Sequence, residues 1–435
     1  MQSNYVIVGG GAGGLELACK LGRKLGPGKV MLVDSRLYHI WKPSLHEVAA
    51  GSLDIHAEGL SYQMLAHDNG FTYVYGALEA LDAAQNTITV GPIETAAGET
   101  VLPRRTIGFG SLVLAVGSTS NYFGVPGAAE HTISLNGTED AERFRLTLLK
   151  LLAKAATAKS EREGGSGTGV DIVIIGGGAT GVELAAELRE ASGVYAAYGF
   201  GHLQPLQDVR ITILEGAPRI LAPLPERVST AAVKLLAERG VRVSAETRVT
   251  AIEADKVVVG NGTVYPSDIT VWAAGIKAPD FLAGLGLPTV KGGQVDVTGE
   301  LVVKGFPNIF ALGDCALCVG ADGKAVPPRA QAAHQQADYL LDALLRREQG
   351  KPPRGKPYVY RDYGSLVSFG QSTSVGSLMG SLQGSNWFVE GAFARLMYTS
   401  LHLMHHKAIM GTLRTGVLAL ARFLIKRSTP HVKLH

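Results

Sequence analysis

The glycine-rich run Gly9-Gly10-Gly11-Ala12-Gly13-Gly14 returns later in the chain as Gly176-Gly177-Gly178-Ala179-Thr180-Gly181. Each copy follows a strand-like run (Tyr5 to Val8, Asp171 to Ile175) and precedes an apolar-periodic helix. Glycine suits this place because the backbone must turn tightly, a pyrophosphate must reach bare main chain, and the helix must sit close on its strand. The helix N-terminus adds unpaired N–H groups and a positive dipole for the phosphates. A single such run is weak evidence. Two of them, both in strand, turn and helix order, predict a chain that holds two dinucleotides at once.

An acid follows each copy at the end of the next strand. Val30 to Val33 leads into Asp34, 20 residues beyond Gly14, the distance at which a carboxylate accepts hydrogen bonds from a ribose diol. Arg210 to Leu214 leads into Glu215, 34 residues beyond Gly181. The surplus predicts an insertion over Gly193 to Gln207 that lengthens or follows the second helix. A carboxylate at this position repels a 2′-phosphate, so Glu215 favours NADH over NADPH. Arg219, four residues on, works in the opposite sense.

At 435 residues the chain is long for one core and suggests two or three domains. The net charge of +3 is unevenly spread: from Gly391 to His435 there are seven basic residues and no acid. The basic character therefore belongs to the C-terminal tail, and nothing in the pattern asks for a nucleic acid. Met1 leads directly into the first strand without a charged leader or long apolar stretch, which places the catalytic body in the cytosol or an equivalent reducing compartment. Three cysteines are too few for a disulfide framework and agree with that placement. No run reaches the ~20 apolar residues a spanning helix needs.

The order of signals gives the organisation. After the first strand-helix-strand unit comes the irregular segment Tyr38 to His46, then strands at Phe71 to Tyr75 and Thr87 to Val90, and a sheet strand at Leu112 to Ala115 ending in Val116-Gly117-Ser118. A helical run at Asp140 to Lys159 leads to the polar linker Ser160 to Gly169, and the second unit closes with Thr270 to Gly275. Asn308 to Asp314 is a buried strand that delivers an acid, followed by a helix from about Arg329 to Arg347. The fold class is α/β, with two Rossmann-like dinucleotide-binding domains, the second inserted into the first (1–120 and 276–348 against 121–275). A C-terminal α+β region over 349–435 follows: strands and turns from Tyr363 to Val389, then helix. In that helix Leu413, Val417, Leu420 and Leu424 share one side while Arg414, Arg422 and Lys426 lie along another, the pattern of a helix lying flat at an anionic lipid surface.

Taken together, the first fingerprint, the Ala115-Val116-Gly117 strand end, the second fingerprint with Gly181-Val182-Glu183-Leu184-Ala185, and Ala311-Leu312-Gly313-Asp314-Cys315-Ala316 resemble the flavoproteins with two dinucleotide-binding domains. Within that superfamily the chain is similar to the type II NADH dehydrogenases, the single-subunit, non-proton-pumping NADH:quinone oxidoreductases of respiratory membranes. The most specific likeness is Ala330-Gln331-Ala332-Ala333-His334-Gln335, similar to that family's quinone-site helix. The basic tail matches the family's membrane anchor in character only.

The resemblance implies FAD in the first cleft, held by Gly9, Gly11, Gly14, Asp34, Lys42, Ala115, Gly117 and Asp314. It implies NADH in the second, held by Gly176, Gly178, Gly181, Glu183, Glu215 and Gly275. Glu183 would stand near nicotinamide and flavin; its plainer reading is a carboxylate that the helix dipole favours. The helix from Arg329 would aim its N-terminus at the flavin pyrimidine end and stabilise negative charge there. Gln331 and Gln335 are four apart and share a face, where amides suit a quinone carbonyl. Lys42 either polarises the ring or is a loop charge. A membrane quinone is the implied acceptor and the cytoplasmic face of the inner membrane the implied location; pairing with a second copy of the chain stays open.

Cys315-Ala316-Leu317-Cys318 has redox dithiol spacing, yet it immediately follows Asp314 on the ribityl side and reads better as buried small residues. Two cysteines with no further ligand nearby do not make a zinc site, and no metal is expected. The rival readings are a sulfide:quinone oxidoreductase, which needs cysteines facing the flavin, and an NADH-responsive redox sensor whose tail binds a partner.

Overall fold

The computed structural model describes residues 1–161, 169–320, 323–370, 373–379, 386–425 and 432–433. Most of the linker Ser160 to Gly169, and Lys426 and Arg427 of the tail, lie outside them.

Two sheets organise the molecule, the first parallel over most of its strands and the second throughout. In the first the order is Thr72–Tyr75, Val30–Asp34, Gln2–Val8, Arg105–Leu114, with Ile309–Ala311 added along the last part of Arg105–Leu114. Val6, Ile7, Leu32, Val33, Leu112 and Val113 are fully buried, as expected where helices cover both faces of a parallel sheet and the strands read as continuous apolar runs. The strand from Arg105 is longer than its apolar stretch suggests, because its first half pairs antiparallel with Thr87–Val90, which also pairs with Leu78–Asp82. Helix Ala12–Leu25 packs on this sheet beside helix Ala330–Glu348.

The second sheet is all parallel, in the order Ile133–Ser134, Ile269–Trp272, Val170–Ile175, Val209–Leu214, Val241–Ser244. Its strands fall in sequence between Arg105–Leu114 and Ile309–Ala311, and the chain crosses between the sheets through an antiparallel pair, Thr119–Ser120 with Ile276–Lys277. The surplus before Glu215 is a long fingerprint helix, Ala179–Tyr198, followed by a short helix Pro205–Asp208. The extra length seats Tyr195, whose buried hydroxyl donates to Ala50 O at 2.9 Å. The second domain is thereby clamped onto helix Leu45–Ala50 of the first.

The C-terminal region is an antiparallel meander, Gly364–Phe369, Thr373–Met379 and Asn386–Glu390, then helices Gly391–Met410 and Thr412–Ile425 joined at Gly411. Gly411 takes φ +82°, a left-handed turn that glycine adopts without steric cost. Leu413, Val417, Leu420 and Leu424 form an exposed apolar side, as the spacing predicts. The arginines behave differently. Arg414 pairs with Asp68 and Arg422 with Glu58, so both guanidiniums tie the helix to the first domain instead of standing free for lipid.

Candidate active site

The two clefts are built by one set of hydrogen bonds used twice. Gly9 N donates to Val33 O and Gly176 N to Leu214 O, both at 2.8 Å. Ala115 N donates to Val8 O and Ala273 N to Ile175 O, again at 2.8 Å. Gly9 and Gly176 both take left-handed φ (+104° and +112°), and each is pressed onto the end of the neighbouring strand: a Cβ on Gly176 would lie 2.6 Å from Ala273 O, and one on Gly9 2.6 Å from the Ala115 carbonyl carbon. A Cβ on Gly14 would overlap Gly9 O, and one on Gly181 would overlap Gly176 O. These glycines are required by the protein's own packing.

Gly11 and Gly178 are different. A Cβ on Gly178 would meet nothing within 4 Å, and one on Gly11 only Ala115 O at 4.0 Å. Both cap the helix that follows, with extended backbone and no side-chain cap, so the main chain at the start of each helix is left bare. That fits a dinucleotide pyrophosphate, which needs bare main chain and free donors. Asp34 Oδ2 accepts from Gly10 N at 2.6 Å and Oδ1 from Arg36 N at 2.8 Å. Glu215 repeats this, accepting from Gly177 N at 2.6 Å and Ala217 N at 2.7 Å. Burial raises the Asp34 carboxyl above its usual range, and the two backbone N–H groups pull it back. Arg219 donates to Leu221 O and Ala222 O, turned onto its own backbone.

Beyond the pyrophosphate loop of the first cleft, Lys42, Ser118 and Asp314 form a chain. Lys42 Nζ donates to Ser118 O at 2.9 Å, and Ser118 Oγ donates to Asp314 Oδ2 at 2.7 Å. Burial lowers the Lys42 ammonium, opposed by Asp314. Gly313 N donates to Gln336 Oε1 at 2.7 Å, which fixes the turn bearing Asp314 to helix Ala330–Glu348. Sequence reading passed over Ser118 and Gln336. Ser118 follows Gly117 directly and was open to inspection, whereas Gln336 shows its role only once Gly313 is placed beside it.

Glu183 is buried where three parts of the chain meet. Its Oε1 accepts from Ser368 N at 3.0 Å, and its Oε2 lies 3.7 Å from His46 Nδ1. His46 comes from the first domain, Glu183 from the second and Ser368 from the C-terminal meander. Gln331 and Gln335 both face segment 361–364. Gln331 donates to Asp362 Oδ1 at 3.3 Å and Gly364 O at 3.2 Å, while Gln335 makes a tighter pair with Arg361, donating to its O at 2.8 Å and accepting from its N at 3.0 Å. Cys315 and Cys318 are free and buried, and burial pushes both thiols up to about 11, so neither is a ready nucleophile.

Another contact missed in the sequence is a histidine pair. His39 Nδ1 lies 3.0 Å from Gly10 O and its Nε2 lies 2.8 Å from His405 Nε2, linking the first fingerprint loop to the helix Gly391–Met410. Burial lowers His39 to about 4 and lowers His405 well below the ordinary range.

This duplicated cradle agrees with what is found in known proteins. The family model for pyridine nucleotide-disulphide oxidoreductases matches residues 3–337. The type II NADH:quinone oxidoreductase of Haemophilus influenzae is 36% identical over 447 residues, covering 100% of both chains. The chain belongs to the type II NADH:quinone oxidoreductases. The fold of this family is also that of the solved NDH2 of Plasmodium falciparum in complex with NADH, with TM-score 0.81 at 17% identity and full coverage of both chains. The sulfide:quinone oxidoreductase of Aquifex aeolicus shares the fold at TM-score 0.71 and 20% identity, covering 94% of this chain and 92% of that one.

Proposed function

We propose that this chain oxidises NADH and reduces a membrane quinone, with FAD resident in the first cleft. The observation that carries the reading is the duplicated cradle, open at Gly11 and Gly178 alike, in a chain 36% identical along its whole length to a type II NADH:quinone oxidoreductase. FAD, when bound there, would supply the hydride acceptor for NADH oxidation and the two-electron donor for the quinone.

The chain's own residues bind, orient and polarise. Gly9 and Gly14 set the tight turn that brings main chain up to the FAD pyrophosphate and Gly11 leaves that approach open, Asp34 takes the adenosine ribose, and Ala115 and Gly117 shape the far wall. Lys42, held by Ser118 and Asp314, puts a positive charge beside the ribityl and ring end. Gly176, Gly178 and Gly181 with Glu215 repeat the arrangement for NADH, and Gly275 borders its path. Glu183, fixed by Ser368 N and His46, serves the nicotinamide end and keeps that junction rigid. The helix starting at Ala330 has no acid in its first turn, which leaves its dipole free to stabilise negative charge at its N-terminus.

Gln331 is the better placed of the two glutamines to meet a quinone carbonyl. Its bonds to Asp362 and Gly364 are long, and giving up one costs about 0.5–1.5 kcal/mol, which a new bond to quinone restores. Gln335 is held by the closer bonds to Arg361 and orders the wall beside it.

Among the described residues no helix is long and apolar enough to cross a membrane. The exposed apolar side of Thr412–Ile425 suits a peripheral seat on the lipid surface, on the cytoplasmic face. A quinone with a long apolar tail then enters from the bilayer.

The test is stopped-flow flavin absorbance, first with NADH and then with a soluble quinone analogue, in wild type and Gln331→Ala. Bleaching by NADH in both proteins, with recovery slowed at least tenfold in the variant, is the expected result. A yellow protein that NADH does not bleach ends the proposal. The sulfide:quinone oxidoreductase reading is disfavoured by the buried thiols of Cys315 and Cys318 with raised pKa.

A further inference from the structure

The two clefts share their fingerprint and strand-end hydrogen bonds up to the end of their third strand, where they part. In front of Gly117 (φ +71°) a Cβ would meet nothing within 4 Å. In front of Gly275 (φ +74°), its counterpart, stands the ring of Phe123, with Cε2 2.7 Å from where a Cβ would be. The place left bare in the first cleft is walled by an aromatic ring in the second.

Phe123 is not there to fill a core. Its neighbours Tyr122 and Val125 pack against the cluster around Trp272, while Phe123 is 62% exposed and turned the other way. It also takes φ +50°, which for a bulky residue is an outlier that the surroundings must enforce. The enforcing contacts are clear: Phe123 N donates to Asn121 Oδ1 at 3.0 Å, Asn121 N donates to Gly275 O at 3.2 Å, and Trp272 Nε1 donates to Asn121 O at 2.9 Å. The ring is thus fixed to the strand end it covers.

Sheet order tells which part of a dinucleotide would meet it. The fingerprint strand Val170–Ile175 has Val209–Leu214 on one side and Ile269–Trp272 on the other. Glu215 extends from the former and marks the adenosine end, so a dinucleotide crossing Gly176 and Gly178 carries its other half towards Gly275 and Phe123. We propose that Phe123 is a positioning residue for NADH, its exposed ring face forming the apolar wall against which the nicotinamide half of the nucleotide packs. This deepens the NADH assignment of the second cleft and rests on it. A planar ring on a stiff support suits a planar, largely apolar ligand face, because stacking adds to simple burial and little side-chain freedom is lost.

The test uses the full-length, FAD-loaded protein and the variants Phe123→Ala, Phe123→Leu and Phe123→Tyr, each checked for flavin content and melting temperature. NAD+ binding is measured by calorimetry, and KM for NADH and for a soluble quinone, with kcat, in the steady state. Alanine is expected to weaken NAD+ binding and raise the NADH KM about tenfold, with kcat and the quinone KM within about twofold of wild type. Tyrosine restores both within about threefold, and leucine falls between. Should alanine lose flavin, the leucine and tyrosine pair decides alone. Unchanged or tighter NAD+ binding in the folded variants, or an equal rise in the quinone KM, overturns the assignment. Failure of NADH to bleach the wild type would instead remove the function reading itself, so the two failures are separate.

Discussion

Glu215 Oε2 holds the amide of Gly177 at 2.6 Å. This bond ties the carboxylate to the fingerprint loop beside the path of the nucleotide, with its second oxygen on Ala217 N, so its position is set before any ligand arrives. A charged acceptor for a ribose hydroxyl is worth about 1.5–3 kcal/mol, and the same charge repels a 2′-phosphate. Glu215→Gln should therefore raise the NADH KM about tenfold and lower the ratio of NADH to NADPH efficiency by at least as much. Steady-state kinetics with both nucleotides checks this. Arg219 is spent on Leu221 O and Ala222 O, so Arg219→Ala should leave the ratio nearly unchanged.

Glycines of one motif should fail in different ways. Gly178 faces open space at an ordinary extended φ of −71°, so Gly178→Ala should fold with a near-normal melting temperature yet lose about tenfold or more in NADH affinity, because the methyl occupies the pyrophosphate's approach. In Gly181→Ala the methyl overlaps Gly176 O; overpacking of this kind costs about 1–3 kcal/mol or more, and the melting temperature itself should drop. Differential scanning calorimetry beside NAD+ titration separates the two. Equal melting temperatures for both variants would contradict the packing account.

What the sequence disclosed was whatever depends on short spacing. Fingerprints, strand-end acids, the shared face of Gln331 and Gln335 and the apolar stripe of the last helix all follow from periodicity and turn chemistry within a few dozen residues. What it hid was the partner on the other side of each contact. That Gln331 and Gln335 look onto the backbone of 361–364, that Arg414 and Arg422 are taken by Asp68 and Glu58, and that His39 meets His405 are all set by tertiary packing of segments far apart in the chain. No local pattern distinguishes a paired arginine from a free one. Phe123 was hidden for another reason: a lone aromatic in a turn carries no periodic signal, and only comparison of the two clefts shows its place to be special.

The His39 and His405 bond makes stability depend on pH. His39 donates from Nδ1 to Gly10 O, which assigns its Nε2 as acceptor and His405 Nε2 as donor; both rings must be neutral. Burial lowers His39 to about 4 and lowers His405 and His406 as well, with His402, His334, Arg36 and Arg422 adding to the repulsion. These groups ionise near the ordinary histidine value when unfolded, so the unfolded chain takes up protons that the native one refuses. The stability these rings contribute is then steady above about pH 6.5 and falls between about pH 6.5 and 4, by up to ~1.4 kcal/mol per pH unit for each such histidine. His334, raised by its bond to Glu16, acts in a different window: it contributes stability that is present below about pH 6.5 and is lost as pH rises through its raised value. Melting temperature measured from pH 8 to 5 should fall only in the acidic half, and His405→Gln, which keeps a donor but not a titrating ring, should flatten the slope. An unchanged slope in the variant would show that the acid sensitivity arises elsewhere.

For the last helix the structure separates two contributions to membrane attachment that composition alone runs together. Leu413, Val417, Leu420 and Leu424 are 83, 63, 60 and 57% exposed, and burying such a side chain in lipid contributes up to about 1.5–3 kcal/mol each. Arg414 and Arg422 are already paired with Asp68 and Glu58, so they add little attraction to anionic headgroups. Attachment should thus be governed by the leucine side. Vesicle flotation should show Leu413→Ser with Leu420→Ser moving most of the protein into the soluble fraction, while Arg414→Gln leaves binding nearly intact. Raising salt from 50 to 500 mM should weaken attachment of the wild type only modestly, since screening acts on exposed charges and not on apolar burial. A strong salt dependence, or loss of binding in Arg414→Gln, would mean that headgroup charge and not the apolar side holds the protein on the bilayer.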